Sequence, residues 1–451
     1  MLRILRFALP GSLVALCALV APNALANGRF PAASHLVVGP SDPNVLVLRT
    51  TFGILISKDH AAHFDWVCEK ALGYGGVEDP AIGITASSAI LAATFEGLSV
   101  SQDVACGWAF APGGLVDQVV IDVVVRPGAP QSSLALTNTY TSADDAGASL
   151  FSSHLYASQD DAKTWTPLFG PIDPTLILET VEVAASDPAR IYLSGVRQNK
   201  GVLLVSTDGG ATWTEHPVAL DPMTERAPFI AAVDPHNRDR VYVRTQGAND
   251  SPSRLLVTDD GGSTFRVVFR GKGAMLGFAL SPDGTKVFLG GPLDGVQVGS
   301  STDLVFAKKS AVSVQCLAAS GATLYACSAE SSGFILGASE DDGKTFTPKL
   351  HLATVRGPLE CPATSSQAKC VADWPALRDT LGVSPDGGTN PTGDAGRSDA
   401  AAAPKMLAGG GCSENGEHRT AGALAGGAFA LGLGLLFVAR RKRTPQRGPA
   451  D

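Results

Sequence analysis

One short pattern recurs along the chain and limits what it can fold into. Ser206, Asp208, Gly210, Thr212 and Trp213 form one copy, and Thr258, Asp260, Gly262, Thr264 and Phe265 a second. Ser339, Asp341, Gly343, Thr345 and Phe346 form a third, and Ser158, Asp160, Thr164 and Trp165 a fourth, with Ala162 at the glycine position. Three eroded copies begin at Ser57, Ser101 and Ser301. The chemistry of the pattern is that of a turn. Short hydroxyl and carboxylate side chains bond nearby backbone groups, and Gly accepts a positive φ. The aromatic ring at its end is suited to packing against a sheet.

The copies start 38 to 57 residues apart, with a mean of 47. That period suits a four-stranded propeller blade. The intervening residues agree. The unit around the second copy has apolar runs at 229–233, 240–244, 255–257 and 265–269, each too short for a helix and bounded by turn residues. No long 3.6-residue periodicity appears away from the two ends, and only 17% of residues are charged, so a helical or coiled-coil protein is excluded. The expectation is an all-β, seven-bladed β-propeller over residues 27–381, with residues 27–34 completing the last sheet.

The repeated Ser-x-Asp-x-Gly-x-Thr-Trp/Phe pattern resembles the Asp box of the Asp-box (BNR-like) propellers, a superfamily that includes sialidases, sortilin, xyloglucan hydrolases and photosystem assembly factors. The resemblance covers about three quarters of the chain. It implies that Asp160, Asp208, Asp260 and Asp341 shape the turn between third and fourth strands, with Trp165, Trp213, Phe265 and Phe346 packing beside them. It also implies that binding residues lie on the opposite face.

The two ends read as address signals. Arg3 and Arg6 precede an apolar run and an Ala24, Leu25, Ala26 cleavage site, which predicts a signal peptide over residues 1–26. Residues 382–411 read as a flexible linker rich in Gly, Pro and Ala. Residues 420–439 can just span a bilayer and are followed by Arg440, Arg441, Lys442 and Arg443. With Cys412 after three glycines, segment 412–451 resembles the C-terminal sorting signal of myxobacterial surface proteins, which implies anchoring through Cys412. The expected location is the cell surface or outer membrane.

The chain carries −8; the end segments carry +2 and +3, which leaves −13 on residues 27–411. Such a surface repels phosphate backbones, so nucleic acid is not an expected partner. Six cysteines remain in that region, Cys68, Cys106, Cys316, Cys327, Cys361 and Cys370, and an even number in an exported domain reads as disulfides. Fifteen pairings are open, and the pairs nearest in sequence, Cys316–Cys327 and Cys361–Cys370, are expected, leaving Cys68–Cys106.

Candidate binding residues come from three long stretches. Residues 66–80 carry Glu69 and Tyr74; residues 138–154, read as a long loop, carry Tyr140, Asp144 and Asp145; residues 216–228 carry Glu225 and Arg226. Arg197 adds a shorter turn. Asp122, Glu179 and Glu182 fall on or beside the innermost strands, where a carboxylate could serve as a general acid. A sialidase would need three arginines, and the innermost strands are almost free of them. His60 and His63 lack the Glu between them that a zincin requires, so neither a metal nor any other cofactor is expected. The reading is a monomeric propeller that binds a protein or glycan, with a glycan hydrolase or lyase as the alternative.

Overall fold

The computed structural model describes residues 30–75, 78–247 and 251–384. The signal peptide, most of the linker, Cys412 and segment 420–439 lie outside the described residues. Within them, no helix is long and apolar enough to cross a membrane. The described residues form seven four-stranded antiparallel sheets, each from four consecutive strands. These blades occupy residues 33–67, 81–110, 120–169, 176–218, 225–270, 277–310 and 316–350.

All seven copies of the repeated pattern fall between the third and fourth strands of a blade. In blade four the Ser206 hydroxyl donates to Asp208 Oδ1 at 2.8 Å and accepts from the Gly210 amide. Asp208 then accepts from the Thr212 amide and hydroxyl at 2.9 and 2.6 Å. Blades one and two keep this network around Asp59 and Asp103. His63 replaces the Thr, its Nδ1 2.7 Å from Asp59 Oδ2, so the His60 and His63 pair belongs to the turn. Blades one to three place Ala61, Ala105 and Ala162 at positive φ where blades four, five and seven use Gly. The aromatic ring covers the preceding blade: Trp213 lies 5.2 Å from Phe169, and Phe306 lies 5.6 Å from Phe269.

Antiparallel order fixes two faces. One carries these turns and the first-to-second strand turns. The other, the loop face, carries the second-to-third strand turns and the connections between blades. Innermost strands surround the channel.

Ring closure departs from expectation. Ala33–Val38 is the first strand of the first blade, and the last sheet takes all its strands from residues 316–350. No strand is shared, because blade seven is complete. Instead, one apolar core runs through blade seven, blades one and two, and the C-terminal segment; it includes Leu36, Val47, Leu72, Tyr325, Leu336 and Leu381. That segment lies along the outer edge of blade one. Trp66 bridges Pro358 in parallel, its amide donating to Gly357 at 2.6 Å, and its ring lies 5.8 Å from Trp374. The exposed strand edge is thereby covered.

The disulfides follow the same path. Cys316–Cys327 joins neighbouring strands as expected. The other two pairs differ from the sequence reading: Cys68 bonds Cys370 and Cys106 bonds Cys361. Cys361 and Cys370 are near in sequence, but the segment runs extended past blade one and meets two different blades.

Candidate functional site

Innermost strands of blades one, three and four each carry a one-residue bulge, at Ser34, Ile121 and Glu179, and that of blade five carries two, at Arg226 and Ala231. A bulge re-aims a side chain and frees a backbone amide from the ladder. Close to two of the bulges, backbone amides bond the preceding blade. Val181 donates to Asp122 Oδ2 at 2.8 Å, tying blade four to blade three, and Ile230 donates to Thr180 Oγ1 at 3.0 Å, tying five to four.

The three carboxylates named from sequence are half-buried on the channel wall. They do not act as one group. Asp122 accepts through both oxygens, the second from its own neighbour Val123 at 2.9 Å. Burial pushes its carboxyl up to about 7, against the pull of those amides and Arg49. Burial, then Asp122, pushes Glu182 up to about 8. Glu179, on the bulge, rises to about 7 through burial alone, with no neighbouring charge contributing. Asp122 and Glu182 also line a cavity of about 590 Å³ among blades one to four, near the turn at Pro127 and Pro130. Its walls are otherwise mostly aliphatic, with Val37, Ile82, Ile84 and Val124, and hold no Phe, Tyr or Trp.

Two cations stand on second strands, Arg49 and Arg244. Arg49 donates to Ser34 at 3.1 Å and to the carbonyls of Asp79 and Pro80. Arg244 donates to the Met275 carbonyl at 2.8 Å and lies 5.2 Å from the centre of the Phe229 ring. Burial, then Arg49 and Arg244, hold the His35 imidazole down at about 3, so it is uncharged at neutral pH. The signal that could have found these arginines is their place opposite innermost-strand residues, Arg49 across from His35 and Arg244 across from Phe229.

Most other candidates are dispersed around the loop face. Glu69 opens the short helix Glu69–Leu72. Tyr74 is buried with its hydroxyl unpartnered, and burial pushes that hydroxyl far above its ordinary range. The stretch 138–154 is not a loop: Ser133–Ala143 pairs with Ser149–Ser158 in a long projecting hairpin. Tyr140 and Phe151 meet edge to face across it at 6.0 Å. Asp144 accepts from the amides of Ala146 and Ala148 and so closes the tip, beside exposed Asp145. Arg197 pairs with Asp173 at 2.7 Å and Glu215 at 2.8 Å. Glu225 is buried and bonded by Arg254, Thr245 and the Asp221 amide, which makes it a structural strut. Arg226 is exposed.

Exposed apolar side chains are unevenly distributed. Seven of the ten large ones among the described residues sit on the loop face: Phe30, Phe95, Val116, Ile177, Met223, Leu276 and Leu293. Met223 is 82% exposed and Leu293 61%.

No protein-family model and no curated protein sequence matches this chain. Among solved structures, an ancestral GH74 enzyme gives a TM-score of 0.45 at 15% identity, covering 71% of this chain and 38% of that one. The GH74 xyloglucanase from Xanthomonas campestris gives 0.35 at 15% identity over 72% of this chain and 65% of that one. YCF48 from Cyanidioschyzon merolae gives 0.43 at 12% identity over 66% and 92%. The chain thus spans little more than a third of the ancestral enzyme. Structural neighbours lie in propeller families, and nothing about activity is drawn from them.

Proposed function

We propose that this protein is an exported, surface-tethered propeller of the Asp-box type that binds a protein or glycan across its loop face. The observation that carries the reading is the concentration of exposed apolar side chains there, since such surface on a rigid scaffold marks an interaction site. The disulfides fit an oxidising compartment. Tethering rests on the sequence of residues 412–451. The test is capture from a cell-surface fraction together with a glycan array, using the wild type, Met223→Asp/Leu293→Asp and, as a control on the opposite face, Val305→Asp. The loop-face pair is expected to abolish the specific signal and Val305→Asp to leave it; the reverse pattern sinks the reading.

A glycan hydrolase or lyase is the second reading, favoured by one observation: Asp122 and Glu182 line the same cavity, and burial, with Asp122 adding to it at Glu182, holds both carboxyls near neutrality. Against it stand the two amides that fix Asp122 and the missing aromatic platform. Product release from an oligosaccharide panel that vanishes in Glu182→Gln would favour this reading; no release from either protein favours binding.

A further inference from the structure

The three disulfides differ in where they sit. Cys316–Cys327 and Cys68–Cys370 are closed off, with each of the four residues at most 4% exposed. Gln367, itself buried, lies beside Cys370, and its Nε2 donates to the Trp66 carbonyl at 2.7 Å. Cys106–Cys361 is different. Both residues are only partly buried, at the margin of the core that Cys68 and Cys370 enter. Cys106 stands in the eroded turn of blade two, between Ala105 at a positive φ of 78° and Gly107. A reagent in solvent meets that bridge at the surface.

The backbone around the exposed bridge has its own support. The Cys106 carbonyl accepts from the Gln367 amide at 3.2 Å and from the Ser366 hydroxyl at 3.3 Å. The Ser366 hydroxyl in turn accepts from the Trp108 amide at 2.9 Å. Further along the same segment, Cys370 stays bonded to Cys68. Opening Cys106–Cys361 therefore leaves two thiols close together with the strap in place. Thiols held in this way re-form a bridge faster than free thiols at ordinary concentration.

We propose that Cys106–Cys361 is a reversible thiol-exchange site at the turn of blade two, open to small thiols and dithiols, while the other two bridges are permanent staples. A thiolate of a dithiol attacks one sulfur of the bridge, which forms a mixed disulfide and releases the other cysteine as a thiolate. The second sulfur of the dithiol then displaces the remaining cysteine. Two electrons and two protons pass from the dithiol to the protein, and the dithiol departs as a cyclic disulfide. Anions beside the site set its preference. Gly107, next to Cys106, donates its amide to Asp103 at 2.7 Å, and Glu360 precedes Cys361. A thiol reagent with no further charge is taken before one bearing a second anion. The proposal goes beyond the loop-face reading and does not require it, because the exchange is measured without any ligand of that face.

The test is reduction of the full chain with dithiothreitol at neutral pH without denaturant, quenched with iodoacetamide and read by peptide mass mapping. Cys106 and Cys361 should be labelled together, at least about tenfold faster than the four cysteines of the other two bridges, because a buried bridge is reached only through opening of the fold. Mercaptoethanol should react faster than mercaptoethanesulfonate at equal thiolate concentration. After the reductant is removed, oxidised glutathione should restore the bridge and abolish the label. Cys106→Ser/Cys361→Ser should show no early label; if that variant does not fold, the order of labelling in the wild type decides alone. Simultaneous labelling of all three bridges, earlier labelling of Cys68 and Cys370, or a label that oxidised glutathione does not reverse overturns the proposal. Equal rates for the two monothiols overturn the charge preference. Each result leaves the capture experiment with Met223 and Leu293 variants free to succeed or fail separately.

Discussion

Blades one and two use the same turn as blades four and five but hold it by different means. In blades four and five the turns have Gly210 and Gly262 at positive φ, and the blades are stitched side by side by Arg190 with Asp239 and Arg238 with Asp187. In blades one and two the glycines are Ala61 and Ala105, and the stitching comes from the C-terminal segment, through two disulfides, Arg356 with Asp65 and Lys70 with Asp373. The lesson is that two of the degraded repeats sit where another part of the chain adds support. Blades one and two keep the short-range hydrogen bonds of the turn and add a distant strap, which acts through covalent closure of a large loop.

The comparison breaks most sharply at the disulfides. Cys68–Cys370 and Cys106–Cys361 join residues 302 and 255 apart, and Cys316–Cys327 residues 11 apart. Chain entropy predicts about 5.5 kcal/mol for each long bridge taken alone and about 3 kcal/mol for the short one. Urea unfolding of a variant lacking both long bridges should therefore show a much larger loss than Cys316→Ser/Cys327→Ser. Equal losses would mean that the strap does not close the ring.

Next in size is the buried pair on the other side. Arg254→Met leaves the Glu225 carboxylate buried with Thr245 and one amide, and should lose about 3–5 kcal/mol. Adding Glu225→Gln should recover much of that loss. No recovery would show that Arg254 acts through packing alone.

A third effect concerns pH. Glu179 in blade four is held at about 7, above the ordinary value of 4.5. The folded state therefore keeps a proton that the unfolded chain releases. Stability falls as pH rises from about 4.5 and the loss is complete above about 7. Glu179→Gln should raise the melting temperature at pH 8 more than at pH 5; an equal rise at both would assign the effect to packing. Asp208, Asp260 and Asp341 behave oppositely. Their Thr and backbone bonds hold them at about 2, so the stability they give is present above about 4 and is lost as pH falls toward 2.

The smallest effect is Ala162→Gly. It relieves a positive φ of 61° but adds freedom to the unfolded chain, for a net gain under about 1 kcal/mol. The reverse change in blade seven, Gly343→Ala, should be clearly destabilising, because the new Cβ would sit 2.7 Å from Val296. Thermal melts of the two variants compare an adapted turn with one that requires glycine.

The blade count was legible because the turn is local: Ser206, Asp208 and Thr212 bond within seven residues, so their order is written in the sequence. The strands holding Asp122, Glu179 and Glu182 were legible for the same reason. The bulge at Glu179 and the amide that binds Asp122 were not, since both depend on the neighbouring strand or blade. The hairpin at 138–154 reads as a loop in the sequence because it projects without an apolar core beneath it. Its Thr, Ser and Tyr residues lack the alternation of a half-buried strand despite their strand propensity. Cysteine pairing was set by the course of the C-terminal segment, which no local pattern encodes. Arg49 and Arg244 are not legible as site residues, because they stand on second strands and not on the innermost ones.

Hydrogen exchange of the ring with its captured ligand tests the central claim most directly. Protection is expected in the loop-face segments 95–97, 219–224 and 292–294, with the Asp208, Asp260 and Asp341 turns unchanged. Protection confined to those Asp turns would put the ligand on the opposite face and contradict the account.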